Sequence, residues 1–115
     1  MVNYMTREEL FKKLDDSGDS IQSLKEIREA CSPGFSAILK QKIKERLTAD
    51  GWEKRNVSYF TWRKFGNISV NSLGTFHIED KTNSFGPAGT YDYYVNSKEG
   101  KRGEKLEIWI KHKQV

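Results

Sequence analysis

Cysteine and histidine are scarce in this chain, and each scarcity closes a route. Cys31 is the single cysteine, so no disulfide can form within the chain and secretion gains no support. One cysteine and two histidines, His77 and His112, are too few for a structural zinc site. No apolar run approaches the length of a membrane helix, and the first residues lack the basic-then-apolar layout of a signal peptide. No glycine-rich phosphate loop stands between a strand and a helix. The expectation is a cytoplasmic protein with no membrane contact, no metal and no cofactor.

Catalytic patterns are equally thin. A metal-dependent nuclease wants an Asp followed by Glu-x-Lys with an apolar middle residue in a strand. Glu79-Asp80-Lys81 has that spacing but a charged centre, and Asp92 with Glu107 and Lys111 has the residue types at the wrong spacing. Neither histidine has a recognisable nucleophile nearby in sequence. The chain therefore reads as a non-enzyme.

Aromatic and charged residues are what the sequence has in quantity. Six Phe, five Tyr and three Trp are too many for a disordered chain, even though hydrophobic residues make up only 36% and the mean hydropathy is -0.78. The 115 residues fit one domain, 1–115, that buries roughly two-thirds of its unfolded surface. The net charge of +4 is unevenly spread: −2 over residues 1–35, +5 over 36–66, −2 over 67–97 and +3 over 98–115. Two basic segments flanking acidic ones suit an anionic partner such as nucleic acid, and suit a solvated surface equally well.

The first half is patterned for helices. Thr6-Arg7-Glu8-Glu9 forms a capping box, with Met5 and Leu10 placed for a hydrophobic staple, Leu10, Phe11 and Leu14 as the apolar stripe, and Gly18 as the stop. A second box, Ser23-Leu24-Lys25-Glu26, opens a short helix near residues 24–31 after a short extended stretch at Ile21. Leu24, Ile27 and Ala30/Cys31 share one face of it. Ser32-Pro33-Gly34 breaks the chain. The third helix, residues 36–49, buries Phe35, Leu39, Ile43 and Leu47. It turns Ala37, Lys40, Gln41, Lys44 and Thr48 outward, and Asp50-Gly51 closes it, with Trp52 folding back onto the core.

The second half is patterned for strands. Residues 57–65 are rich in β-branched and aromatic side chains, Gly66-Asn67 is a two-residue hairpin signal, and residues 68–79 alternate. Ile68, Val70, Phe76 and Ile78 fall on one face with the small Ser72 and Gly74, which suggests a bulge or a close crossing. Residues 91–95 and 106–111 are the last two strands, and 80–90 and 96–103 are loops. The fold class expected is α+β: three N-terminal helices, then an antiparallel sheet of about four strands.

The residues Ser20-Ile21-Gln22-Ser23-Leu24-Lys25-Glu26-Ile27, the Ser32-Pro33-Gly34 turn, the long amphipathic helix, Leu47-Thr48-Ala49-Asp50-Gly51-Trp52 and a hairpin with its tip at 63–67 resemble a winged helix-turn-helix domain. The likeness spans residues 6–70. It implies that the third helix enters the major groove of duplex DNA while the wing touches phosphate or minor groove. The chain departs from that pattern in its Pro-containing turn and in the β structure beyond residue 70, a β extension that would serve dimerisation or a protein partner. A second stretch, Ser72-Leu73-Gly74-Thr75-Phe76 with the Gly/Pro-bearing loop after it, is similar to the β-arm region of histone-like HU proteins, but the C-terminal helix of that family is missing.

On the winged-helix likeness, the DNA-binding residues are Ser36, Lys40, Gln41 and Lys44 on the third helix, with Arg63 and Lys64 at the wing tip. Lys can contact guanine or phosphate, and Gln can pair bidentately with adenine. The same residues are also good helix formers on a solvated face, and charges at a hairpin tip also guard strand edges. A second surface is the outward face of the last strand, Lys105, Trp109, Lys111 and Lys113, where an exposed Trp among lysines could stack on a base or a partner. The expected function is DNA binding in regulation. The alternative is a small inhibitor or adaptor that docks a partner protein on its exposed sheet face.

Overall fold

The computed structural model describes residues 6–16, 20–30, 33–79, 85–96 and 105–113. The element order is α1 (Arg7–Asp16), α2 (Ile21–Ala30), a 3-10 turn (Pro33–Phe35), α3 (Ser36–Ala49), β1 (Glu53–Ser58), α4 (Tyr59–Trp62), β2 (Leu73–Ile78), β3 (Gly89–Val95) and β4 (Lys105–His112). It is the α+β arrangement expected, three N-terminal helices and then a four-stranded antiparallel sheet. The chain forms two compact units, Met1–Asp50 and Gly51–Val115.

In the helical unit, local chemistry sets each boundary. The Thr6 hydroxyl accepts the Glu9 N–H at 3.2 Å and starts α1. Leu10, Ile27 and Leu39 make a buried cluster joined by Leu14 and Phe35, and Ile43 and Leu47 continue the α3 stripe without exposure. At its end, the Asp50 N–H donates to the carbonyls of Arg46 and Thr48, the Arg46 guanidinium pairs with the Asp50 carboxylate, and Gly51 takes the left-handed conformation at φ +83°. The start of α2 differs from the expectation. Ser20 is the cap, its Oγ accepting the Ser23 N–H at 3.0 Å, so Ile21 is the first residue of the helix rather than part of an extended stretch. Met5, Gly18, Cys31 and Ser32 lie outside the described residues.

The sheet unit differs more. The strand expected over 57–65 ends at Ser58, whose Oγ accepts the Thr61 N–H at 3.2 Å and caps α4 instead. Trp62 then enters the core, and its indole N–H donates to the Asn67 carbonyl at 2.7 Å. That bond and the Trp62 ring, which a Cβ on Gly66 would meet at 2.6 Å, fold residues 66–67 inward rather than into a hairpin. Residues 68–72 turn as well, with the Ser72 N–H donating to the Ser69 carbonyl and Asn71 at φ 67°, so β2 is shorter than the alternation suggested.

The sheet order is β1-β4-β3-β2. β1 therefore pairs with β4 in the register Glu53↔Ile110 to Ser58↔Lys105, and there is no β1–β2 hairpin and hence no wing at 63–67. One sheet face, Val57, Phe76, Ile78, Tyr91, Tyr93, Val95, Leu106, Ile108 and Ile110, is sealed by Trp62 and Phe85, with Phe65 and Ile68 at its margin. The close crossing expected at Gly74 is present, because a Cβ there would lie 2.8 Å from the Tyr93 ring. Among the described residues no helix is long and apolar enough to cross a membrane.

Candidate nucleic-acid interface

On α3 the i, i+4 rhythm that buries Leu39, Ile43 and Leu47 also fixes what faces away. Gln41, Ala37 and Thr48 are exposed, while Ser36, Lys40 and Lys44 are half-buried. The two carboxylates of α3 and its C-cap have partners of their own. Glu45 stands 4.0 Å from Lys42, and Asp50 is held by Arg46. Lys40 and Lys44 have no carboxylate partner among the described residues, so their charges are offered to solvent. Thr48 is partly spent, its hydroxyl donating to the Lys44 carbonyl at 2.9 Å.

Arg63 and Lys64 are exposed, but they follow a helical turn rather than sit on a hairpin tip. The Arg63 N–H donates to the Tyr59 carbonyl at 3.0 Å and the Lys64 N–H to Thr61 at 3.4 Å, so the turn of α4 runs on through both. Phe60, 48% exposed, precedes them by one turn. The spacing Phe60, Arg63, Lys64 puts the three on one side, and Trp62 takes the buried side. Read as a strand, the segment hid this grouping, because i and i+3 then fall on opposite faces.

The second surface on β4 is only partly assembled. Trp109 is 5% exposed, not outward among lysines. It shares its sheet face with the fully buried Tyr94, paired across from it, and its indole N–H donates to Glu107 Oε2 at 3.2 Å. That oxygen also accepts from Asn96 Nδ2 at 2.7 Å, and Lys54 lies 3.9 Å from the same carboxylate. Lys113 pairs with Asp92 at 3.4 Å. Lys105 and Lys111 are exposed at opposite ends of the strand, about 20 Å apart at the usual rise. Lys105 stands across from Ser58, the residue that caps α4.

The groups considered for catalysis are occupied or scattered. His77 Nδ1 meets Thr90 Oγ1 at 3.1 Å, and the His112 ring lies 4.7 Å from that of Tyr91. Burial pushes the Tyr91 phenol above its ordinary pKa, against the pull of Arg55 and with a smaller push from Glu53. It donates to the Pro87 carbonyl at 2.5 Å as a structural anchor. Asp80 and Lys81 lie outside the described residues. Among those described, no three His, Cys, Asp or Glu gather as a metal ion requires.

An α+β chain with a three-helix unit and an antiparallel sheet unit rich in aromatic side chains is what these observations define. Set against known families, curated proteins and solved structures, the chain matches none.

Proposed function

We propose that this chain binds duplex DNA through the outward face of α3, as a cytoplasmic regulatory protein without catalytic activity of its own. The observation that carries the reading is the Ser36, Lys40, Gln41, Lys44 face, which adds two cations to an exposed amide while the carboxylate beside it, Glu45, is paired with Lys42. The order α2, short turn, α3 supports a kinship with helix-turn-helix domains, in which the second helix of the pair lies in the groove. Ser36 and Ala37 keep the first turn small, so the backbone can come close to the groove wall. Lys40 and Lys44 supply phosphate or guanine contacts, and Gln41 reads an adenine edge. The reading does not need a wing.

The test is a titration of the parent and two variants on varied duplexes at several salt concentrations. Lys40→Ala with Lys44→Ala weakens binding to all sequences and makes the log–log salt slope shallower by about two. Gln41→Ala changes the preference among sequences at one position. Parent-like binding by the double lysine variant overturns the reading.

The rival is a protein-interaction module. On its side is a groove of 330 Å³ on the sheet unit, lined by Trp52, Leu73, Gly74, Thr75 and Asp92. Trp52, expected on the core, lines this groove instead. Indifference to DNA at low salt would favour this second reading.

A further inference from the structure

We propose that the outer edge of β2 pairs with the same strand of a second copy of this chain, antiparallel and centred on Thr75. The pairing is independent of the DNA reading above.

The sheet ends on β1 at one side and β2 at the other, and the two edges differ. β1 carries Glu53, Lys54 and Arg55, and its Lys54 carbonyl already accepts from the Arg55 guanidinium at 3.1 Å. Charges on an edge strand keep it from pairing with another chain. β2 reads Leu73-Gly74-Thr75-Phe76-His77-Ile78, with no Asp, Glu, Lys, Arg or Pro. Among the described residues no strand pairs with its outer side, and Thr75 and His77 are exposed.

The ladder fixes what that edge presents. The Val95 N–H donates to the Ser72 carbonyl at 2.9 Å, and the Thr90 carbonyl accepts from the Lys113 N–H at 2.8 Å on the β4 side. Bonding direction alternates along a strand, so Tyr93, Tyr91 and Gly89 turn toward Gly74, Phe76 and Ile78. Leu73, Thr75 and His77 therefore aim their N–H and C=O groups away from the sheet. A two-fold axis at Thr75 sets Thr75 against its own copy and Leu73 against His77 of the second copy, so each outward group meets its complement. Such an axis would set like charges close together, and β2 has none. Thr opposite Thr is a favourable cross-strand pair. On the other face Gly74, over which the Tyr93 ring lies, falls opposite Phe76 of the second copy, a glycine–aromatic pair that pins register. A two-residue slip would instead bring in Asn71, whose N–H is given to Val95, or the charged Glu79. A foreign extended segment offers the same hydrogen bonds, but a copy of β2 also brings Phe76 opposite Gly74.

The experiment is sedimentation velocity of the full chain over a concentration series, without nucleic acid, with variants whose circular dichroism matches the parent. The parent forms a dimer with a dissociation constant on the order of 10 μM, as a small interface gives. Thr75→Pro removes an outward N–H and spares the bonds to β3, so it weakens the dimer about tenfold or more. Asn56→Pro makes the same change at an outward position of β1 and alters the dimer less than about twofold. Thr75→Lys alone and Thr75→Glu alone are monomeric, because the axis sets each charge against itself, and an equal mixture of the two forms the heterodimer. A dimer that Thr75→Pro leaves unchanged overturns the pairing, because the copies then meet elsewhere. So does a mixture of the Lys and Glu variants that stays monomeric. A parent that is monomeric up to about 1 mM overturns it too, and leaves the edge to a foreign strand.

Discussion

The cores of the two units are built from different kinds of residue. The helical unit is aliphatic, centred on Leu10, Ile27 and Leu39, and its caps and stripes join residues three or four apart. The sheet unit is aromatic. Trp62 meets Phe76 and Tyr93 edge-on at 5.1 and 4.9 Å, and Phe76 stacks on Tyr91 at 5.3 Å. Local caps set the helix ends of the first unit, whereas strand pairing brings the rings of the second together.

The sharpest way to break this comparison is to remove the aromatic centre. Trp62→Ala should cost about 3–5 kcal/mol, through both the lost ring and the unsatisfied Asn67 carbonyl. Urea denaturation read by near-ultraviolet circular dichroism measures it, and a loss below about 1 kcal/mol would show that Trp62 is not the keystone.

The aliphatic counterpart comes next. Leu39→Ala should cost about 2–5 kcal/mol, with amide protection lost first in residues 20–49. Protection lost first in the strands would contradict a core of its own for the helical unit.

Gly74→Ala tests the close approach in the sheet. Its Cβ would sit 2.8 Å from a ring enclosed by Trp62 and Phe76, so the expected cost is about 1–3 kcal/mol by thermal or chemical unfolding. A neutral effect would mean that Tyr93 shifts freely.

The smallest effect separates two serines. Ser20→Ala should cost about 0.5–2 kcal/mol and Ser23→Ala clearly less, because Ser20 accepts the backbone N–H. The reverse order would restore Ser23 as the cap of α2.

Legibility followed the same divide. The Thr6–Glu9 cap, the Leu39, Ile43, Leu47 stripe and the turn at Gly51 are local, and the sequence patterns placed them correctly. With the stripe came the opposite face, which is why Gln41 was recognised as outward. Ser58–Trp62 misled, because Tyr, Phe, Thr and Trp are strand-forming types and only a Ser58–Thr61 cap bond distinguishes the turn. Phe60 was missed for that reason. The pairing of β1 with β4 left no trace in either strand, since antiparallel partners are chosen by the whole sheet. Trp109 looked exposed from the lysines around it, but alternation assigns a side chain to a face without saying whether that face is open.

The pairing of the unit's first strand with its last sets the order in which the protein can be made. On the ribosome, α1 to α3 can complete their own core while the rest is still being added, since every contact in it is already present. Glu53 must wait for Ile110, and until then β1 has no neighbour in the sheet. Closing so long a loop is slow, so the nascent chain passes through a stage with finished helices and an open, ring-rich strand segment. Chaperone dependence of this protein should therefore be concentrated between the synthesis of β1 and the release of β4.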